Sequence, residues 1–174
     1  GNSSPRYQYG TNLAFQWYGF DFNIFFQGIG HIDWYPGREA QAFWGYYNRP
    51  YGTFIPKDFQ KLCWSEDNPN AYFPRPRTAV ALTENSELST VNDRYLQNIG
   101  YCRLKNLTIG YSLPKFLTNK IGLDLVRLYF SGENLAYWSP IKTDYVDPEQ
   151  ARQGGTLKVY PWQKSFTFGV NINF

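Results

Sequence analysis

The feature that most constrains the fold is a strict two-residue alternation over the last ten residues, Ser165 to Phe174. Successive side chains of a β-strand point to opposite faces, so this pattern predicts a strand with one apolar and one polar face. The apolar positions are Phe166, Phe168, Val170, Ile172 and Phe174. A soluble sandwich buries such a face against a second sheet. A membrane barrel turns it to lipid instead, and its polar face then lines a wet interior.

Two further alternating runs lie near the start of the chain, at residues 7–17 and 20–30. If Tyr18 and Gly19 form a tight turn, the two runs pair as a hairpin. The pairing then places Trp17 opposite Phe20, Phe15 opposite Phe22 and Leu13 opposite Ile24. Every opposed pair is apolar, which fixes the register. Each run also has the roughly 9–11 residues that a tilted strand needs to cross a bilayer.

Three more strands are predicted at residues 94–111, 125–134 and 165–174, and the alternation within the first of them breaks near Lys105–Asn106 in the manner of a β-bulge. A short helical turn, opened by Pro114 and closed near Gly122, joins the first two. Long irregular loops are predicted at residues 31–93 and 135–161. The fold class is therefore all-β and antiparallel.

The connections between these strands alternate between short and long, so the short ones share one rim and the long ones the other. Bacterial barrels place short turns in the periplasm and long loops outside the cell, and the same arrangement is expected here, with a periplasmic carboxyl terminus. Ordinary barrels have at least about eight strands. We therefore expect further chain to complete a transmembrane β-barrel, and we expect the sequence to be a fragment.

Aromatic residues make up 20% of the chain, with 15 Tyr, 14 Phe and 6 Trp. This content suits the aromatic girdles of a barrel and also the stacking platforms of sugar-binding proteins. The net charge of +3 gives no basis for nucleic-acid binding. Cys63 and Cys102 lack the spacing of a disulfide framework, although a single bridge between them stays an alternative. No arrangement of side chains predicts an enzyme, a metal site or a cofactor.

Five segments carry the most specific motifs of the chain: Tyr18–Gly28, Asp33–Trp34, Tyr101–Pro114, Leu125–Leu135 and Phe166–Phe174. Together they resemble the carboxyl-terminal part of the SusC/RagA-type TonB-dependent transporters of Bacteroidetes. The loop from about Tyr35 to Val91 is similar to the family only in its general character and carries no matching motif. Cys102 departs from the family pattern, which usually has an apolar residue at this position.

This resemblance implies a barrel of about 22 strands with a plug, of which this chain would form the last five. The family imports oligosaccharides, or less often peptides, across the outer membrane. Its partners are a SusD-like surface lipoprotein and TonB, which contacts an amino-terminal part that this chain lacks. The remaining partners implied are the plug, the other barrel strands and outer-membrane lipid. The main alternative is a soluble, aromatic-rich β-sandwich that binds carbohydrate.

Four groups of residues are candidates for function. Loop aromatics are expected to contact ligand or the lipoprotein, with mutual packing as the alternative: Trp34, Tyr35, Trp44, Tyr46, Tyr47, Trp64 and Trp138. Residues expected to face lipid are Leu13, Phe15, Trp17, Phe20, Phe22, Ile24, Leu107, Ile109, Val126, Leu128 and Phe130. The terminal residues Phe166, Phe168, Val170, Ile172 and Phe174 resemble a barrel-assembly signal. Polar residues expected to line the lumen or touch the plug are Gln16, Asn23, Gln27, Arg103 and Arg127.

Two weaker candidates complete the set. Asp144, Asp147 and Glu149 could bind calcium, but their spacing is not that of an EF-hand, so solvated loop acids are favoured. His31 is expected to form a hydrogen bond at the rim rather than to bind a metal.

Overall fold

A computed structural model of the chain describes residues 1–48, 55, 57–77, 79–155, 157–160 and 162–174. The chain divides into two compact units. The sheet unit comprises Pro5–His31, Gly100–Ser139 and Pro161–Phe174. The loop unit comprises Gly1–Ser4, Ile32–Ile99 and Pro140–Tyr160. The division follows the predicted separation of strands from long loops.

The sheet unit is built on five long antiparallel strands, consistent with the predicted fold class. Seven strands are numbered along the chain: β1 (Gln8–Trp17), β2 (Phe20–Ile29), β3 (Asp33–Trp34), β4 (Gln97–Asn98), β5 (Tyr101–Ser112), β6 (Leu125–Trp138) and β7 (Ser165–Asn173). The order in the large sheet is β1-β2-β5-β6-β7, so each long strand lies beside its neighbour in sequence. Within the described residues β1 and β7 are the two open edges of this sheet.

The predicted hairpin register is confirmed by the pairing of β1 with β2. Trp17 lies opposite Phe20, Phe15 opposite Phe22, and Leu13 opposite Ile24. The turn residues Tyr18 and Gly19 have φ angles of 46° and 86°. Positive φ at both central positions is the requirement of a type I′ turn, whose twist matches that of the flanking strands.

The predicted bulge is also confirmed, but two strand boundaries were wrong. The register of β5 shifts at Lys105 against both of its neighbours. The strand expected from residue 94 starts at Tyr101, because Gln97 and Asn98 pair with β3 instead. The strand expected to end at residue 134 continues to Trp138 beyond a second irregularity, at Asn134, whose φ is 51°.

The short connection between β5 and β6 contains the predicted helical turn. Helix α2 (Lys115–Thr118) follows Pro114 and continues as a 3-10 helix over Asn119–Ile121. Gly122 ends it with a φ of 73°, a left-handed conformation that glycine adopts without steric cost.

The loop unit is folded around aromatic side chains rather than around regular elements. Its helices are short: α1 (Gln41–Trp44), α3 (Pro148–Ala151), and 3-10 helices at Gly45–Tyr47, Phe59–Leu62 and Ala79–Leu82. Fully buried aromatics form the core: Phe43, Trp44, Tyr47, Phe59 and Phe73.

Among the residues that the structure describes, no helix is long and apolar enough to cross a bilayer. Cys63 and Cys102 are both free thiols, so the alternative of a bridge between them is not realised.

Candidate functional site

The apolar residues of the sheet unit lie in register from one edge of the sheet to the other. One such row consists of Phe15, Phe22, Ile109, Phe130 and Phe168, each paired with the next. The rings of Phe15 and Phe22 stack at 4.5 Å, and those of Phe130 and Phe168 meet at 5.1 Å. The rows on either side continue the pattern. The sheet therefore has one continuous apolar face rather than five separate apolar strands.

This apolar face is exposed. Leu13 is 50% exposed, Trp17 66% and Phe168 80%. All eleven residues expected to face lipid belong to strands β1, β2, β5 and β6 of this sheet, and their register places them on this face. A contiguous exposed surface of this kind marks a contact with lipid or with another protein.

The opposite face is polar and carries a recess of about 510 Å³. Its lining consists of Asn12, Asn23, Phe25, Asn106, Thr108, Ser131 and Glu133. The hydroxyl oxygens of Thr108 and Ser131 lie 3.1 Å apart and share a hydrogen bond. Of these residues, sequence reasoning named only Asn23 as a candidate. The two-residue alternation of the strands places the other positions on the same face as Asn23, so the sequence pattern could have identified them as recess residues.

An ion pair spans three strands on the same polar face. Arg127 on β6 donates from Nε to Oδ1 of Asp21 on β2 at 2.8 Å, and from Nη2 to Oδ2 at 2.5 Å. Gly110 of β5 lies beneath this bidentate pair. A Cβ at Gly110 would lie 2.3 Å from Oδ1 of Asp21, so only glycine fits without displacing the pair. Arg127 thus lies on the predicted polar face, but its charge is already matched by Asp21.

The other predicted lumen residues differ in exposure. Gln16 and Gln27 are exposed, whereas Arg103 is only 2% exposed. The guanidinium carbon of Arg103 lies 5.1 Å from the ring centre of Tyr137, in a cation–π contact. Packing against Tyr137 holds the Arg103 side chain against the sheet, so it does not extend into open space.

Two of the loop aromatics expected to contact ligand or lipoprotein are fully buried. Trp44 and Tyr47 have no exposed surface; Trp44 donates from Nε1 to the Gly37 carbonyl at 3.0 Å, and Tyr47 donates to the Pro74 carbonyl. The expectation of surface contact is wrong for this pair, and mutual packing is what the structure shows. The segment has few aliphatic residues, so its largest aromatic rings form the core.

Tyr35 and Trp34 also take part in folding the loop unit. The Tyr35 hydroxyl lies 3.0 Å from the Leu88 carbonyl and 2.9 Å from that of Thr90, and it accepts a hydrogen bond from Asn92. The Trp34 ring meets Phe43 edge-on at 5.7 Å. Both side chains are half-buried, so only part of each is available to a partner.

Three other candidate aromatics also keep accessible surface. Tyr46 is 38% exposed in the loop unit, and Trp138 is 57% exposed at the end of β6 in the sheet unit. The guanidinium carbon of Arg75 lies 4.8 Å from the ring centre of Trp64, in a cation–π contact. Trp64 also lines a groove of about 380 Å³. These side chains stay candidates for contact with ligand or partner.

Burial controls the ionisation of the loop core. It raises the pKa of Tyr95 to about 12, against a smaller lowering effect of the neighbouring Arg94 guanidinium. Burial likewise raises the pKa of Tyr47, Tyr72 and the Cys63 thiol. These groups stay neutral at physiological pH, as a buried core requires.

One of the acidic residues considered for calcium, Asp147, has a local structural role. The Asp147 carboxylate accepts a hydrogen bond at 2.9 Å from the backbone N–H of Glu149, which caps the amino end of α3. Pro148 at the first helical position adds to this start signal. Helix capping accounts for Asp147 without a cation.

Comparison with known proteins relates both units to one family. No protein-family model matches the sequence. The chain is 32% identical over 189 aligned positions to the TonB-dependent receptor P3 of Formosa agariphila, and the alignment covers 100% of the chain. The chain is therefore similar over its whole length to one segment of a TonB-dependent receptor. It spans 17% of that relative's length. The family resemblance drawn from the sequence motifs is confirmed.

Solved structures show the same fold. The RagAB peptide importer in its closed-closed state matches with a TM-score of 0.66 over 99% of this chain and 18% of its own. Its open-open state matches with a TM-score of 0.61 over 99% of this chain and 17% of its own. Sequence identity is 23% in both cases. The printed names of these proteins are those of a receptor and an importer.

Proposed function

We propose that the chain forms part of the wall and outer loops of a SusC-like, TonB-dependent importer in the bacterial outer membrane. The observation that carries the proposal is the continuous division of the sheet into an exposed apolar face and a polar face. In a barrel wall the apolar face meets hydrocarbon and the polar face meets an aqueous lumen. A sandwich would need the apolar face to be covered.

Further strands of the same receptor would close the barrel. The open edges of β1 and β7 carry backbone groups that need partners, since each unpaired group in hydrocarbon costs several kcal/mol. The coverage of only 17–18% of the relatives' chains supports the same proposal. We propose that the short connections face the periplasm and the long loops face outward, in the usual orientation of bacterial barrels.

The proposed substrate is a neutral oligosaccharide. The recess on the polar face offers amides, hydroxyls and the Glu133 carboxylate, which form hydrogen bonds with sugar hydroxyls, and the Phe25 ring, on which a sugar ring can stack. Import of peptides is the second candidate, favoured by the fold shared with the RagAB peptide importer. The exposed surfaces of Tyr46, Trp64 and Trp138 are proposed to contact ligand or a SusD-like lipoprotein.

The test uses the intact receptor that contains this chain. We expect it to fractionate with outer membrane, to resist SDS until heated and to co-purify with a surface lipoprotein. Binding of neutral hexasaccharides and of mixed-sequence decapeptides is then compared by calorimetry. A receptor recovered folded and monomeric from detergent-free buffer would refute the membrane assignment. Binding of decapeptides alone would replace the oligosaccharide with the second candidate.

The polar recess gives this experiment a matched pair of variants. Phe25→Ala removes the ring that lies in the recess, and Phe22→Ala removes a ring of the same size on the apolar face. We expect Phe25→Ala to weaken hexasaccharide binding by about 10-fold, the effect of losing one stacking contact. Phe22→Ala should leave the affinity unchanged, and equal effects of the two variants would contradict the role of the recess.

A further inference from the structure

The connection between β5 and β6 exposes apolar side chains beside basic ones. Phe116 and Ile121 are each 65% exposed, and Leu117 is 42% exposed. Lys115 and Lys120 are exposed in the same short helical segment. Residues 113–123 contain no acidic side chain. This combination is unusual for a surface turn in water, where small and polar residues predominate.

The burial pattern of the segment is inverted relative to a soluble helix. The small polar Thr118 is fully buried, and its Oγ1 donates to the Lys115 carbonyl at 3.3 Å. The backbone N–H of Leu123 donates to the Thr118 carbonyl at 3.1 Å. The segment is therefore held by its polar side, and its larger apolar side chains are directed away from the packed side.

The segment joins two strands that carry the apolar face of the sheet. It leaves β5 directly after the row that contains Tyr111 and Leu128, and it enters β6 directly before Val126. In helical spacing Phe116 and Lys120 share one side, as do Leu117 and Ile121. Exposed apolar residues with interspersed lysines, placed at the end of a lipid-facing surface, match the composition of helices that lie in the headgroup region.

We propose that residues 115–121 form an interfacial anchor for anionic phospholipid. Phe116, Leu117 and Ile121 enter the boundary between headgroups and acyl chains, and the ammonium groups of Lys115 and Lys120 bind lipid phosphates. Aliphatic stems let both lysines reach the headgroups while their chains cover apolar surface. This proposal rests on the proposed function, because it requires the apolar face of the sheet to meet lipid.

Photo-crosslinking of the intact receptor tests the anchor. The receptor carries p-benzoylphenylalanine at Phe116, at Phe168 on the apolar face or at Phe25 on the polar face, in vesicles of phosphatidylethanolamine and phosphatidylglycerol. After irradiation, mass spectrometry measures phospholipid attached at each position. We expect lipid adducts at 116 and 168 and none at 25.

The three positions separate the two proposals. Adducts at 168 without adducts at 116 would overturn the anchor and leave the membrane wall intact. Adducts from 116 to another polypeptide would overturn it in favour of a protein contact. Absence of lipid at 168 would overturn both the wall and the anchor.

The lysines have a separate readout in the same experiment. A basic residue near an anionic surface contributes about 1 kcal/mol, which corresponds to about five-fold in binding. A double variant that combines Lys115→Gln and Lys120→Gln should therefore change the adducts at position 116. We expect the ratio of phosphatidylglycerol to phosphatidylethanolamine adducts there to fall by at least five-fold. Unchanged adduct ratios would overturn the role of the lysines.

Discussion

A charge placed on either face of β1 gives the most direct test of which solvent each face meets. Leu13 lies near the middle of this ten-residue strand, on the apolar face and opposite Ile24. Ten residues at roughly 3.4 Å each, tilted by about 45°, span about 24 Å, which matches the apolar band of about 25 Å in bacterial barrels. Leu13 is therefore about 10–12 Å from either rim.

Leu13→Arg should destabilise the intact receptor by about 2–4 kcal/mol, the cost of a basic side chain near the bilayer midplane. Asn12→Arg is the matched control, because it adds the same side chain one position away on the polar face. Its expected cost is below about 1 kcal/mol, since a charge there stays in water.

The assay is guanidinium-induced unfolding of both variants in phospholipid vesicles, followed by the heat-dependent shift of the receptor in SDS gels. A difference of 3 kcal/mol corresponds to a change of more than about 100-fold in the ratio of folded to unfolded receptor. Equal midpoints for the two variants, or a lower midpoint for Asn12→Arg, would refute the assignment of the faces.

Three further changes test other parts of the structure. Trp44→Ala should destabilise the loop unit by about 3–5 kcal/mol, because it empties a fully buried site. Trypsin should then cleave this unit at a lower temperature. Tyr46→Ala is the control, because Tyr46 is partly exposed. Gly110→Ala should displace the ion pair between Asp21 and Arg127 and lower the temperature at which SDS unfolds the receptor, and an unchanged temperature would contradict the steric argument. Tyr95 should ionise near pH 12 in an absorbance titration at 295 nm, rather than near about 10 as in the unfolded chain. Because its folded pKa is the higher one, its contribution to loop-unit stability is complete below about pH 10 and is lost as the pH rises towards 12; a titration near 10 in the folded receptor would contradict its burial.

The sheet was largely predictable because one physical constraint acts on every second residue. A shift of one residue would exchange the two faces, so the apolar pairs of β1 and β2 determine their register from sequence alone. The break in parity between Leu104 and Leu107 located the bulge for the same reason. The end of β6 was missed because a bulge at Asn134 interrupts the alternation while the strand continues to Trp138.

The loop unit was less predictable because its core follows no period. Trp44 and Tyr46 are two residues apart in the same aromatic-rich stretch, yet one is fully buried and the other is exposed. Their difference depends on contacts with residues distant in sequence, such as Phe73 and Tyr95 against Trp44.

The densely packed rings inside the loop unit have a consequence for recognition. Phe43, Phe59 and Phe73 lock the backbone around them before any partner arrives. A partner that docks on such a surface does not have to order it, so less of the contact free energy is spent on conformational entropy. A segment built this way presents a preformed surface, and binding to such a surface selects among partners by shape.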